Sequence, residues 1–211
     1  MKIIDITLPL SNKTLVWEGD KGVTIEQIAF IQKGSDFNVS RAEFGVHAGT
    51  HIDAPYHLDD QGNTVDKISL DILIGPVRVL EIDDSIKIIT EEVLQKSGYR
   101  KGTKRLLLKT KNSKNWDENP DQFIREYTAI DSATAAFLVS DGVEFVGIDY
   151  LSISPYDDLK IPHQILLKAG IVILENAYLV NVEPGDYMMY CLPLNLIGSD
   201  GAPVRAVLIK D

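Results

Sequence analysis

Apolar positions fall into two regimes along the chain. Up to Phe44 they come in short alternating runs. Residues 2 to 6 and 14 to 17 read as brief strands, and Val23 to Ile31 is a further one, answered by Phe37 to Phe44 after a turn at Lys33-Gly34-Ser35-Asp36. From residue 73 the apolar runs are longer and alternate with helix signals. Leu73 to Ile82 reads as a strand interrupted near Gly75-Pro76; Thr90 with Glu91 and Glu92 starts a helix that Gly98 stops; Arg105 to Leu108 is a buried strand. Lys111 to Asp121 is polar, carries an isolated Trp116 and the breaker Asn119-Pro120, and reads as a surface excursion. Asp131 caps a helix that closes near Gly142, and Val143 to Ile148 is an apolar strand ending at Asp149, itself a turn or cap residue. His163 to Ala169 is a short helix ended by Gly170, and Ile171 to Leu174 is a strand running into Glu175. Strand and helix alternating in this half predict right-handed crossovers and parallel pairing beside an antiparallel N-terminal half, hence an α/β fold with a mixed sheet.

No repeat, low-complexity stretch or linker breaks the pattern, and 211 residues fit a single domain over 1–211 able to bury a substantial core. A formal charge of −10 argues against a nucleic-acid surface, which needs clustered Lys and Arg. No run of about 18 apolar residues offers a membrane span. Asp5 interrupts the apolar stretch a leader would need, so a cytoplasmic protein is expected. Cys191 is the single cysteine; it excludes an internal disulfide and, in Tyr190-Cys191-Leu192, reads as a buried thiol.

The four histidines change the picture most. Three of them, His47, His51 and His57, fall within eleven residues, with Asp53 between the second and third. Imidazole and carboxylate are ligands for divalent zinc, manganese and iron. In a strand these four side chains would share one face, but four extended residues cover about 13 Å, too far for His47 and His51 to grip one ion with bonds of about 2 Å. Gly49, Thr50, Ile52 and Pro55 disfavour a helix, so the chain must bend, with Gly49 the natural hinge and Pro55 turning His57 back. A polar loop of solvated histidines is the plain alternative.

The fourth histidine supplies a second half. Seven helical residues from His163 advance about 10 Å and five extended ones return about 16 Å, so a reversal at Gly170 can bring Glu175 back beside His163. A carboxylate following four apolar residues is expected to be partly buried, where it needs a cation or hydrogen bonds; a strand end reaching water is the alternative. If the halves meet, His47, His51, Asp53, His163 and Glu175 form a ligand set large enough for two ions bridged by a carboxylate, which would acidify bound water. His57 is then either a sixth ligand or the proton carrier. A hydrolytic site needs a group free to titrate and no other histidine remains, which favours the proton role.

The run His47-Ala48-Gly49-Thr50-His51-Ile52-Asp53-Ala54-Pro55-Tyr56-His57 resembles the His-x-Gly-Thr-His-x-Asp-x-Pro-x-His signature of the cyclase-like metal-dependent hydrolases, which include the bacterial kynurenine formamidases. Gly147 to Ile153, the His163 and Glu175 pair, and Leu192 to Leu208 are similar to that family too. The resemblance implies a swivelling β/β/α-type fold, a homo-oligomer (dimer or tetramer), and one or two divalent ions, commonly zinc or manganese. It implies that His47, His51 and Asp53 hold the first ion, that Asp53 also touches a second held by His163 with Glu175 shared, and that His57 donates and accepts the proton. The family reaction splits N-formylkynurenine into formate and kynurenine. Trp17, in Val16-Trp17-Glu18-Gly19-Asp20, resembles a Trp-Pro-Gly-Asp segment whose tryptophan flanks the aromatic substrate; packing between subunits is the alternative role. Glu18 stands in place of the proline, which is expected to loosen a rigid turn and add charge.

Three activities fit this reading. The first is hydrolysis of a small aryl formamide. The second is opening of a cyclic imide, lactam or lactone by the same machinery, and the third is a non-catalytic binding protein in which the metal orders the loop.

Overall fold

The computed structural model describes residues 1–210. Twelve strands and five α-helices follow one another along the chain: β1 (Lys2–Asp5), β2 (Thr24–Ala29), β3 (Val39–Glu43), β4 (His51–Asp53), α1 (Leu70–Leu73), β5 (Ile74–Glu81), β6 (Ile88–Ile89), α2 (Glu91–Lys96), β7 (Arg105–Lys109), α3 (Asn112–Glu118), β8 (Ala129–Ile130), α4 (Ser132–Ser140), β9 (Phe145–Ile148), α5 (Lys160–Lys168), β10 (Val172–Glu175), β11 (Gly185–Pro193) and β12 (Gly201–Lys210). Eight strands form one mixed sheet in the order β1-β12-β11-β5-β7-β9-β10-β4. The pairs from β5 through β10 are parallel and the others antiparallel, as the alternation of strand and helix signals predicts. β4 pairs with β12 as well as with β10, so the sheet closes into a barrel with β1 as an extra strand on its edge.

Period-two alternation sorts the side chains. Val77, Val79, Leu107, Phe145, Val172, Leu174, Met189, Cys191 and Ala202 point into the barrel and form one core. Leu80, Leu106, Leu108, Val146, Ile148 and Ile173 point outward and are covered by Leu94 of α2, Ala135 and Leu138 of α4, and Leu166 and Leu167 of α5. Gly147 leaves no room for a side chain inside the barrel: a Cβ there would stand 2.6 Å from Leu107 Cδ2 and 3.1 Å from Leu174 Cβ.

Several local readings hold. Thr90 Oγ1 accepts from the Val93 amide and Asp131 Oδ1 from the Thr134 amide, capping α2 and α4. β2 and β3 form the expected hairpin as a separate two-stranded sheet. Four readings need correction. Residues 14 to 17 are not a strand; Leu15 and Trp17 pack into an aromatic cluster instead. Gly75-Pro76 does not interrupt β5, because β7 pairs only with Arg78 to Glu81 and so requires no amide from Pro76. α5 begins at Lys160, three residues before His163, with Pro162 tolerated in its first turn. Residues 111 to 121 are not a simple surface excursion but contain α3, whose first residues are buried. Its amides find their acceptor on a distant strand end: the wholly buried Asp149 carboxylate accepts from the Thr110 and Ser113 amides at 2.6 and 3.1 Å and from both hydroxyls at 2.8 and 2.6 Å. Asp149 is thus a cap, though for a helix that only tertiary folding brings to it.

Candidate metal centre

β4 contributes His51 and Asp53 to one face and Ile52 to the other, where it enters the barrel core. Ahead of it the backbone bends at Gly49, whose φ is +65°, the left-handed conformation glycine adopts without strain. His47 thereby folds back over the strand, and its Nδ1 lies 2.8 Å from Asp53 Oδ1. After β4, Pro55–His57 forms a single 3-10 turn that brings the His57 ring to a centroid distance of 4.3 Å from that of His47. The second half arrives through the ladder between β4 and β10, where Glu175 is the register partner of His51. The reversal at Gly170 sets His163 Nε2 3.0 Å from Glu175 Oε1.

The two segments converge. Asp53 Oδ1 faces His47 Nδ1 and, at 3.3 Å, His51 Nε2, while Asp53 Oδ2 lies 3.7 Å from His163 Nε2. Glu175 Oε2 lies 3.5 Å from His51 Nε2, and its Oε1 accepts from the Ile153 amide at 2.7 Å. Two groups of ligand-type atoms result, sharing Asp53: His47, Asp53 and His57 in one, His51, Asp53 and Glu175 in the other.

The donor set fits a divalent cation. His51 donates Nδ1–H to the Gly49 carbonyl at 2.9 Å, and its Nε2 is buried without a hydrogen-bond partner, facing two carboxylates. His163 donates Nδ1–H to the Leu159 carbonyl at 2.8 Å, with Ser154 Oγ 2.5 Å from the same nitrogen, leaving Nε2 on the cluster side. A carbonyl on one ring nitrogen and a lone pair on the other is how ligating histidines are held. Charge agrees. Burial alone would lower the histidine pKa values, but Asp200 and Asp53 push His47 up to about 10, and Asp53 and Glu175 push His51 up to about 9. His163 is raised as well, burial being outweighed chiefly by Glu175. Burial would raise the carboxyls of Asp53 and Glu175, yet the imidazoles hold both below the usual range. Two wholly buried carboxylates thus demand positive charge between them, which protonated imidazoles or a cation can supply.

Residues 4–155 match the family described as Putative cyclase. The chain belongs to the cyclase family. It is 36% identical over 206 residues to a kynurenine formamidase of Bacillus cereus (strain ATCC 10987 / NRS 248), covering 97% of this chain and 96% of that one. It is likewise 36% identical over 208 residues to a kynurenine formamidase of Bacillus anthracis, covering 98% and 97%. A solved structure described as a potential metal-dependent hydrolase with cyclase activity superposes with a TM-score of 0.84 at 32% identity, covering 98% of this chain and 96% of its own. An isatin hydrolase bound to the product analogue thioisatinate shares the fold, with a TM-score of 0.84 at 18% identity over 100% and 93% of the two chains. The mixed sheet and the motif-bearing strand of this cyclase-family chain accord with what the sequence resemblance implied.

Sequence reasoning missed two residues of this cyclase-family site. Asp200 Oδ2 lies 2.8 Å from His47 Nε2 and 3.2 Å from His57 Nδ1. Its only signal in the sequence is an acid in the turn leading into a strand, 143 residues from His57. Asn176, with φ +57°, donates Nδ2–H to the same Gly49 carbonyl that holds His51, and its own carbonyl accepts from Thr50 Oγ1 at 2.6 Å.

Trp17 stands against Phe123 edge-on at 5.0 Å and is stacked with Tyr156 at 5.8 Å. The Glu18 carboxylate that stands in place of the proline accepts from Arg125 Nη2 at 2.7 and 3.0 Å and from the Tyr156 hydroxyl at 2.9 Å, bonds that tie it to the ring cluster. Among the described residues no helix is long and apolar enough to cross a membrane.

Proposed function

We propose that this protein is a metal-dependent amidohydrolase that cleaves a small aryl formamide such as N-formylkynurenine, with His47, His51, Asp53, His163 and Glu175 holding one or two divalent ions. The observation that carries the reading is the unpartnered, buried Nε2 of His51 aimed at the carboxylates of Asp53 and Glu175. A divalent ion bound there supplies an acidified water and a polarised substrate carbonyl. Imidazole and carboxylate suit both zinc and manganese, with zinc the first candidate.

His57 is the proton carrier. It is partly exposed, unlike His51, and its Nδ1 is taken by Asp200, so Nε2 is the nitrogen left to take a proton and deliver it to the leaving amine. The ring cluster of Trp17, Phe123 and Tyr156 is the proposed wall for the aryl group. It adjoins the segment that donates Ile153 N–H to Glu175 and sets Ser154 Oγ beside His163 Nδ1. The kynurenine formamidases of Bacillus support the formamide as substrate.

Metal analysis of protein purified without added metal, followed by assay of N-formylkynurenine, isatin and simple lactones, tests this. Formate release from the formamide is expected. Turnover of the cyclic substrates alone would move the assignment to ring opening, and no turnover by fully loaded protein would favour the binding-protein reading. His57→Ala is expected to keep its metal and lose activity by roughly 10²–10⁴-fold, the usual worth of a general acid–base.

A further inference from the structure

We propose that Asp200 is a positioning residue that holds His47 and His57 in opposite tautomers, exposing Nδ1 of the first for a cation and Nε2 of the second for proton transfer. The inference builds on the proton-carrying role given to His57 above.

One carboxylate oxygen serves both rings. Asp200 Oδ2 lies 2.8 Å from His47 Nε2 and 3.2 Å from His57 Nδ1. A carboxylate oxygen of an ionised Asp only accepts, so each facing nitrogen must carry the proton. For a neutral His47 that leaves the lone pair on Nδ1, the atom 2.8 Å from Asp53 Oδ1 and therefore on the side where the other ligand-type atoms gather. For a neutral His57 it leaves the lone pair on Nε2. The same acceptor thus selects different nitrogens in the two rings because they approach it by different edges.

The surrounding backbone is built to keep that oxygen in place. The Asp200 carbonyl accepts from the Ala54 amide at 2.8 Å, and the Ser199 carbonyl from the Val65 amide at 2.9 Å. Ser199 Oγ donates to the Gly201 carbonyl at 2.7 Å, and the Gly198 amide donates to Asp66 Oδ1 at 3.0 Å. Gly201, the register partner of Asp53, leaves room for the His47 ring: a Cβ at that position would stand 3.0 Å from His47 Cε1 and 2.8 Å from the Ile52 carbonyl oxygen. The turn before β12 is therefore fixed on both sides of Asp200 by bonds that do not involve the carboxylate, and an alanine there would leave the turn's backbone bonds in place.

The test is nitrogen NMR on zinc-loaded protein with ¹⁵N-labelled histidine. With four histidines there are only four imidazole pairs to assign, and His57→Gln identifies one by its disappearance. The wild type is expected to show His57 protonated on Nδ1 and His47 protonated on Nε2. In Asp200→Ala the His57 signal is expected to move toward the Nε2–H form. Zinc affinity should fall roughly 10- to 100-fold, as when an outer hydrogen bond to a ligand is lost. At saturating zinc, kcat should fall with KM little changed. Asp200→Asn, which keeps an acceptor oxygen, should restore part of both. A wild-type His57 protonated on Nε2, or a tautomer unchanged in Asp200→Ala, overturns the proposal. The tautomer is read without substrate, so a failed formamide assay with the expected spectra would count against the hydrolase reading and leave the role of Asp200 standing.

Discussion

His163 Nε2 lies 3.0 Å from Glu175 Oε1, twelve residues away along the chain, because α5 ends at Lys168, the chain reverses at Gly170, and β10 runs back beside it. The same strand lays Glu175 opposite His51 in the ladder. A helix, a left-handed glycine and one register choice therefore bring two halves of a site together, and a one-residue slip of β4 against β10 would turn His51 and Asp53 into the barrel.

His51 is the histidine with most to lose. His51→Ala should weaken divalent-metal binding by more than the roughly 10- to 100-fold typical of losing an outer hydrogen bond, because in the proposed site it deletes a ligand atom itself. Competition against a chromophoric chelator measures this. A variant that still copurifies with stoichiometric metal would contradict the assignment of His51 as a ligand.

Metal binding should release protons and weaken as pH falls. His47 and His51, raised to about 10 and about 9 without metal, hold protons at neutral pH that a cation must displace. Calorimetry at pH 7.5 in buffers of different ionisation enthalpy is expected to show net proton release, and buffer-independent heats would refute it. Stability follows the same groups. A folded-state pKa above the unfolded value of 6.5 stabilises fully below that value, and the contribution fades as pH rises through 9 to 10. The metal-free protein should accordingly lose thermal stability between pH 7 and 10, and the loaded protein should lose less.

Local signals carried well where they were self-contained. The caps at Thr90 and Asp131, the hairpin before the histidines and the hinge at Gly49 each depend on a few neighbouring residues and could be read from them. What escaped depends on partners far along the chain. α3 is stabilised by Asp149, 36 residues beyond Ser113, and nothing in the polar stretch 111 to 121 announces that acceptor. Asp200 becomes meaningful only after β12 closes against β4 and brings its turn to His47 and His57. Trp17 packs on Phe123 and Tyr156 of its own chain, and the strand assigned to it fails because its backbone has no ladder partner.

Gly147 tests how tightly the barrel is filled. Its added Cβ would stand 2.6 Å from Leu107 Cδ2 and 3.1 Å from Leu174 Cβ, with those residues its register partners on either side. Gly147→Ala should cost about 1–3 kcal/mol by overpacking, read as a lowered urea midpoint. A neutral result would mean that the two leucines can rearrange.

Glu18→Ala removes the acceptor shared by Arg125 and Tyr156. The pair is largely exposed, so stability should change by less than about 1 kcal/mol. If Trp17 and Tyr156 form the aryl wall, KM for an aryl formamide should rise several-fold with kcat little altered. The reverse pattern would place Glu18 closer to the chemistry than to recognition.

The barrel is fastened at its shortest stave. β4 spans three residues, yet it is bonded on one side to β10 and on the other to β12, and two of its three side chains belong to the cluster of histidines and carboxylates proposed to hold the metal. Unzipping that one segment would open the cylinder and dismantle the ligand cage in a single event. Heat or denaturant should therefore extinguish metal retention and barrel closure together, with no stage at which one outlives the other.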